Sequence, residues 1–472
     1  MAKKIRYDIF EERDVYLREY MQKKILFISY YFPPNTAVGG LRIGDFARNF
    51  HLLGWKTYAL TIKDKYLTQM DLERLKDLES TKIYKTSMFP TILNIILRLV
   101  FFLKRPFNKK VKIPYGSSRP FILPDLAPVN SEKCFQKLKR YFASIFIFLP
   151  DPEKRWILPA FLKAIWAIKR EKISFILTSS PPHSVHITGL LLSIFTRTRW
   201  VADLRDPWFT CRNKMPHTAS LLSKKIEAWL EKKVFQRANL VLATNEKLCH
   251  EFSKSYKEQP QEKFLCIPNG YDADAFLNIE NLEKYDQFTI SYAGTLYYGR
   301  SPEPLFDATK KLIIKGKLRI EDIRIKLIGD CGHVDGIPTS QMISAYDLDS
   351  VVEVIDPVPY FKCLEIIKRS HLALLLAPDQ PFQVPAKVFD YFGSGTKILA
   401  IAGEGATSDL VRSTGAGASF YPSDIEGIEQ FIFQSVRTNA ESKKPENNPD
   451  ILHQFDRKVI ISDFAEHLRS VL

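Results

Sequence analysis

Short apolar runs alternate with helix-like stretches along this chain, and they do so twice, with one polar pause between the two series. Few architectures allow that rhythm, because parallel strands need crossover helices and those helices bury both faces of the sheet. In the first series KKILFISYYF reads as a buried strand, apolar from Ile25 to Ile28, followed by the turn PPNTAVGG and the helix RIGDFARNFHLLGW. TYALTI, SFILTSS, RWVADLRD, ANLVLATN and FLCIPNGY read as further strands, and a charged helix is predicted from about Leu221 to Arg237. The pause is DADAFLNIENLEKYDQ. FTISYAG, IRIKLIGD, VVEVIDPV, HLALLLAP and KILAIAG make the second series, with PEPLFDATKKLII among its helices. FDRKVIISDFAEHLRSVL closes the chain as a helix of apolar spacing. Two doubly wound α/β domains are expected, and 472 residues are in any case too many for one ordinary core.

The expected organisation is an N-terminal tail over 1–22 and a first Rossmann-like domain over 23–275, with a basic, aromatic insert at about 88–165. A linker over 276–287, a second Rossmann-like domain over 288–450 and a C-terminal helix over 451–472, crossing back to the first domain, complete it. The tail is charged and lacks the apolar stretch of a secretory signal, and Met21 is as good a start as Met1. Six cysteines, Cys134, Cys211, Cys249, Cys266, Cys331 and Cys363, include no C-x-x-C pair. Neither a zinc site nor a redox dithiol is supported, and the set reads as free thiols in a reducing cytosol.

The formal net charge of +15 suits a polyanionic partner. Its densest part lies between Lys104 and Lys172, where sixteen Lys or Arg stand against five acids. Just ahead is the most apolar run, TILNIILRLVFFL, which carries Arg98 and is too short to span roughly 30 Å of hydrocarbon. Aromatics interleave with the cations in FASIFIFLP and RWILPAFLKAIWAIKR. The combination points to in-plane contact with an anionic membrane surface. A helical subdomain with a solvated basic face is the competing reading. No nucleic-acid motif accompanies the charge, so nucleic acid is not an expected partner.

Several residues sit where an open α/β sheet takes ligands. Gly39 and Gly40 lie between the first strand and its helix, where backbone without Cβ can approach a phosphate at a helix N-terminus. An ordinary strand-to-helix turn would look the same. Arg42 follows two residues later. His183 and His186 follow SSPP at a strand end, and no third ligand accompanies them, so no metal is expected there. Asp203, Arg205 and Asp206 end another strand, with Trp208 just beyond, either as a ligand-lining cluster or as a salt-bridged structural loop. D-A-D at Asp272–Asp274 and D-L-D at Asp347–Asp349 are isolated, and neither a metal nor another cofactor is expected.

Six stretches, SYYFPPNTAVGGLR, TSSPPHSVHITGLLL, WVADLRDPW, IPNGYD, YAGTLYYGRSPEPL and VPAKVFDYFGSGTKIL, are individually weak but telling in order and spacing. Together, from about Lys23 to Leu472, they resemble the retaining family 4 glycosyltransferases of the GT-B fold. The resemblance implies two doubly wound Rossmann-like domains facing a central cleft. It implies transfer of a sugar from a nucleotide-sugar donor to a glycan or lipid-linked acceptor, with retention by front-face attack. The donor diphosphate would help deprotonate the acceptor. It places Gly39, Gly40 and Gly294 at the donor; Thr295 stands where the family carries an Arg, and Arg300 where it carries a Lys. Asp390 takes the place of the acid that binds the ribose, with Lys387 one turn earlier for the diphosphate, while Phe382 occupies the place of the family's other acid. In the acceptor domain, position at or near strand ends makes Asp203, Asp206 and His183 the candidate catalytic side chains, and Arg42, His186, Arg205 and Trp208 the candidate acceptor contacts. The expected location is cytoplasmic, peripheral at the inner face of the membrane, in polysaccharide or glycolipid synthesis. A sugar-nucleotide 2-epimerase and a catalytically degenerate scaffold of the same fold are the alternatives.

Overall fold

A computed structural model describes residues 23–90, 149–208, 221–277, 279, 281–297, 299–440 and 449–471. The expected tail over 1–22 and the insert between 91 and 148 lie outside them. The described chain divides into two compact units. The first takes residues up to 243, then 252–265, then those from 465 onward; the second takes 244–251 and 266–464. The second unit thus begins at Thr244 and, after a return to the first, resumes at Cys266, ahead of the expected linker.

The first unit holds a seven-stranded sheet in the order β3-β2-β1-β4-β5-β6-β7. Its strands are β1 (Lys24–Ile28), β2 (Lys56–Ile62), β3 (Lys82–Thr86), β4 (Phe175–Ser180), β5 (Arg199–Leu204), β6 (Leu240–Ala243) and β7 (Phe264–Cys266). Pairing from β3 through to β6 is parallel. The central strands β1 and β4 are covered by helices on both faces, which is why KILFI and FILTSS are buried almost throughout. The helix Ile157–Glu171 buries Ala160, Ala164 and Ala167, whose small side chains let it approach closely. Its last residue, Glu171, gathers Lys82 (2.8 Å), Tyr84 (2.9 Å) and Tyr58 (3.2 Å), fastening the edge strand β3. Those three bonds, led by Lys82 and Tyr84, hold the Glu171 carboxyl down at about 2.

The second unit holds a six-stranded parallel sheet in the order β12-β9-β8-β13-β14-β15. Its strands are β8 (Phe288–Ala293), β9 (Ile323–Ile328), β12 (Val352–Ile355), β13 (Leu372–Ala377), β14 (Lys397–Ala402) and β15 (Gly417–Phe420). A small antiparallel hairpin, β10 (His333–Val334) with β11 (Ile337–Pro338), lies apart from it. One face packs Leu305, Phe306 and Leu312 of the helix Glu303–Ile314 against Ile290, Leu374 and Leu399. The other packs Val388, Phe389 and Phe392 of the helix Lys387–Ser394 against Ala373, Leu375 and Ile398. Gly395 ends that helix in the left-handed region, φ +66°. Gly393 lies inside the helix, where a Cβ would overlap the Phe276 ring.

The structure adds β3, β15 and the hairpin to the strands expected from sequence. The Leu221–Arg237 helix stands where it is predicted. Gly39 and Gly40 lie in the first turn of the helix Val38–Leu52, not in the loop before it.

Candidate functional site

Each sheet has one place where its strand order reverses, between β1 and β4 in the first unit and between β8 and β13 in the second. Ligands of open α/β sheets bind beyond the C-terminal ends of the strands at such a point. The candidate residues collect at these two places, and each is described within its own unit.

In the second unit Gly294 follows β8 directly, at φ +137°. That backbone angle favours glycine, and a Cβ there would come within 2.7 Å of Lys387 Nζ, so the amine would have to move aside. Lys387 opens the helix after β13, and its Nζ lies 3.8 Å from the Tyr292 ring centroid. Arg300 is buried, packs over the Tyr297 ring at 4.3 Å and donates a long bond of 3.4 Å to Gln380 Oε1. Neither Lys387 Nζ nor Arg300 Nε has a hydrogen-bond partner among the described residues. Burial, and then the Arg300 charge, pushes the Lys387 amine down to about 7. Asp390, one turn along the same helix, accepts from Tyr360 Oη at 2.8 Å. Burial raises its carboxyl above the ordinary range, with Arg457 opposing. Two cations side by side with open donors and no ion-paired acid among the described residues form a seat for a doubly charged anion. The structure therefore brings Gly294, Arg300, Lys387 and Asp390 together. Tyr360 joins them without any signal in the sequence, since it arrives by tertiary packing, whereas Tyr292 opens the YAGTLYYGR stretch itself.

In the first unit Arg42 and Asp203 form a bidentate ion pair, at 3.2 and 3.0 Å, with side chains 4% and 0% exposed. Ser179 Oγ donates to the same carboxylate at 2.7 Å. Asp203 is thereby closed to substrate, where a catalytic group would be open, and Arg42 is buried against it. Arg205 donates through Nε to Ser180 O, at 2.5 Å, and its guanidinium fills the space beside Gly39, where a Cβ would overlap it. Gly40 is close to backbone instead, its added Cβ falling 3.2 Å from Asn35 O. Burial lowers the Arg205 pKa, with Asp203 and the half-buried Asp206 opposing.

Trp208 is fully buried and stacks on His183, with centroids 5.3 Å apart and planes 4° apart. It offers no open face to a sugar and anchors its loop. His183 is buried beneath it. His186 is buried too, and desolvation pushes its imidazole down to about 3, so it is neutral at physiological pH. Thr178 Oγ1 accepts from Trp200 Nε1 at 2.8 Å and shares a hydrogen bond with His186 Nδ1 at 2.9 Å. His186 Nε2 has no partner among the described residues.

One group in this neighbourhood carries no sequence signal. Glu153 is half-buried, and no described side chain bonds to it. Burial, then the nearby Asp151 charge, raises its carboxyl to about 7. Its charge, with those of Asp151 and Arg205, acts on Tyr31, which places it near the Gly39–Arg205 contact.

The isolated acid pairs are engaged elsewhere. Asp274 pairs with Lys458 at 2.7 Å and Asp347 with Lys310 at 2.8 Å. Among the described residues no group of three or more His, Cys, Asp or Glu is placed to hold a metal ion. No described helix is long and apolar enough to cross a membrane. The four described cysteines, Cys249, Cys266, Cys331 and Cys363, are free thiols.

Two parallel doubly wound sheets in one chain are the architecture of the GT-B class, and solved structures of that class share this fold. Anabaena HepE, solved with UDP and glucose, is 14% identical with a TM-score of 0.60, over 95% of this chain and 100% of that one. Sucrose-phosphate synthase from Thermosynechococcus elongatus is 13% identical with a TM-score of 0.59, over 95% and 99%. The N-terminal domain of trehalose-6-phosphate phosphatase from Candida albicans is 12% identical with a TM-score of 0.61, over 96% and 97%. No protein family matches the chain by its sequence, and neither does any curated protein. At these identities the likeness is one of fold, and the chemistry has to be argued from the site.

Proposed function

We propose that this chain is a glycosyltransferase that takes a sugar from a nucleoside-diphosphate donor. One observation carries the reading: the buried amine of half-buried Lys387 and the buried Arg300 keep unpartnered nitrogens beside the glycine that ends β8. A buried cation without an acid is costly, and two together are tolerated where an anion completes them. A donor diphosphate meets that need, and Asp390, one turn from Lys387, is positioned for the ribose hydroxyls. HepE's complex with UDP makes a uridine nucleotide the first probe.

Asp390→Ala tests the assignment by calorimetric titration with UDP, GDP and TDP. Loss of a charge-assisted ribose contact weakens binding by about 1.5–3 kcal/mol while the unfolding midpoint holds. Unchanged affinity for the preferred nucleotide removes Asp390 from the site.

The finer reading is retention at the anomeric carbon without a metal. Charge developing on the leaving diphosphate is met by Lys387, Arg300 and helix N-termini. Activity accordingly survives excess chelator; abolition by chelator with recovery on added magnesium or manganese overturns this. In the acceptor unit Asp203 positions Arg42, Gly39 makes room for Arg205, and Glu153 is the carboxyl available to an incoming hydroxyl. The acceptor is a glycan or lipid-linked sugar met at the membrane surface, in polysaccharide or glycolipid synthesis. The basic, aromatic sequence between 91 and 172 supports that part of the reading, although 91–148 lie outside the described residues. A degenerate scaffold is the second reading, favoured by Phe382 in place of an acid and by the likeness to a domain of a phosphatase. UDP-sugar binding without transfer or hydrolysis would support it.

A further inference from the structure

The helix Ile157–Glu171 turns one face into its unit and another to solvent. Ala160, Ala164 and Ala167 are buried. On the opposite face Leu158 is 47% exposed, Leu162 58% and Trp166 39%. At 3.6 residues per turn these three, together with Lys169, fall within roughly 80° of one another. The stripe is therefore continuous, and it is the wrong face for the core. The end of the helix Ser184–Phe195 adds Ile194 (51%) and Phe195 (67%), with the Phe161 ring 5.6 Å from that of Phe195.

The charge beside this face has one sign. Lys169, Arg197 and Arg199 line a groove with Ile168 and Phe195. None of the three has an ion-pair partner among the described residues. Glu171, the acid nearest in sequence, is spent on Lys82 and the two tyrosines. Exposed Leu, Trp and Phe bordered by free cations match the two demands of a bilayer interface: apolar side chains enter the headgroup boundary, and cations meet anionic lipid. A protein partner would be expected to meet charges of both signs, and a second copy of this face would set like charges against each other.

We infer that the solvent face of Ile157–Glu171, with Ile194, Phe195 and the Lys169–Arg197–Arg199 groove, docks this chain on an anionic phospholipid bilayer. The inference rests on the membrane-bound acceptor reading and gives it a surface among the described residues. It does not depend on donor chemistry.

The test is cosedimentation with vesicles of phosphatidylglycerol and phosphatidylcholine in equal parts, against phosphatidylcholine alone. The full chain partitions at least tenfold more strongly to the anionic vesicles, and added salt reduces the difference. Leu158→Glu with Leu162→Glu, both at exposed positions, lowers that partitioning at least tenfold, as does Arg197→Gln with Arg199→Gln. Tryptophan emission shifts to the blue on binding, and Trp166→Phe removes the larger part of the shift. Nucleotide titration on the same samples stays unchanged, which reports folding and separates this surface from the donor site. Equal partitioning of the full chain and the Leu158→Glu, Leu162→Glu variant overturns the inference. So does a lipid-free dimer that this variant abolishes, since a second copy would then cover the face.

Discussion

Asp203→Ala lowers the stability of the first unit by about 3–5 kcal/mol, the cost of leaving a buried guanidinium without its carboxylate. Arg42 and Asp203 are 4% and 0% exposed and meet through two bonds, so water cannot replace the lost partner. Ser179 loses its acceptor in the same step. The thermal midpoint falls by on the order of 10 °C. Asp203→Asn keeps the shape but not the charge, and it recovers only part of the loss. Replacing both members together, Arg42→Met with Asp203→Leu, recovers most of it, because two apolar side chains leave no stranded charge. A single Asp203→Ala variant that melts with the parent protein would show that the pair contributes nothing.

Lys387 carries the second large effect, and it acts in opposite directions on the empty and the occupied protein. In the folded chain its amine titrates at about 7, against an ordinary value of 10.5. Between those values the unfolded chain holds a proton that the folded chain has released. The unfolded state therefore binds more protons, and stability of the empty protein rises with pH across that window, by up to roughly 1.4 kcal/mol per pH unit. A bound diphosphate needs the charged amine. Binding then draws in a proton, and affinity falls up to about tenfold per unit above pH 7. Lys387→Met flattens both trends and weakens nucleotide binding by about 10–100-fold, while leaving the empty protein at pH 7 no less stable. Calorimetry in buffers of different ionisation enthalpy counts the proton directly. Affinity independent of pH from 6.5 to 9 would detach Lys387 from the anion.

The same two regions show what a linear sequence carries. The central strands are plain in it because burial on both faces demands uninterrupted apolar residues, as in KILFI and LALLLA. The edge strands β3 and β15 read KIYKT and GASF, half-exposed and polar or small, so nothing separates them from loop. Gly294, Arg300, Lys387 and Asp390 lie in two stretches, YAGTLYYGR and VPAKVFDYFGSG, where the resemblance to family 4 glycosyltransferases singles them out. Tyr360 is different: it reaches Asp390 from a helix 30 residues earlier, a contact that only folding creates. Arg42 and Asp203 are both visible as candidates, but their pairing spans 161 residues, and it decides that neither is open to substrate. Glu153 is an ordinary acid in sequence, and only its surroundings make it titrate near neutrality.

The seven-stranded sheet also sets a schedule for synthesis. Residues from 465 onward belong to the first unit. There Arg469 donates to Leu53 O, its guanidinium lies over the Trp55 ring at 6.0 Å, and Lys23 donates to Arg469 O at 3.4 Å. A unit that begins with the first strand is thus finished by residues made after the whole of the second sheet. Nascent chains usually settle domain by domain from the N-terminus. Here the rim around Trp55 stays open through most of translation, and a ribosome stalled before residue 465 would hold a first unit ready for a chaperone.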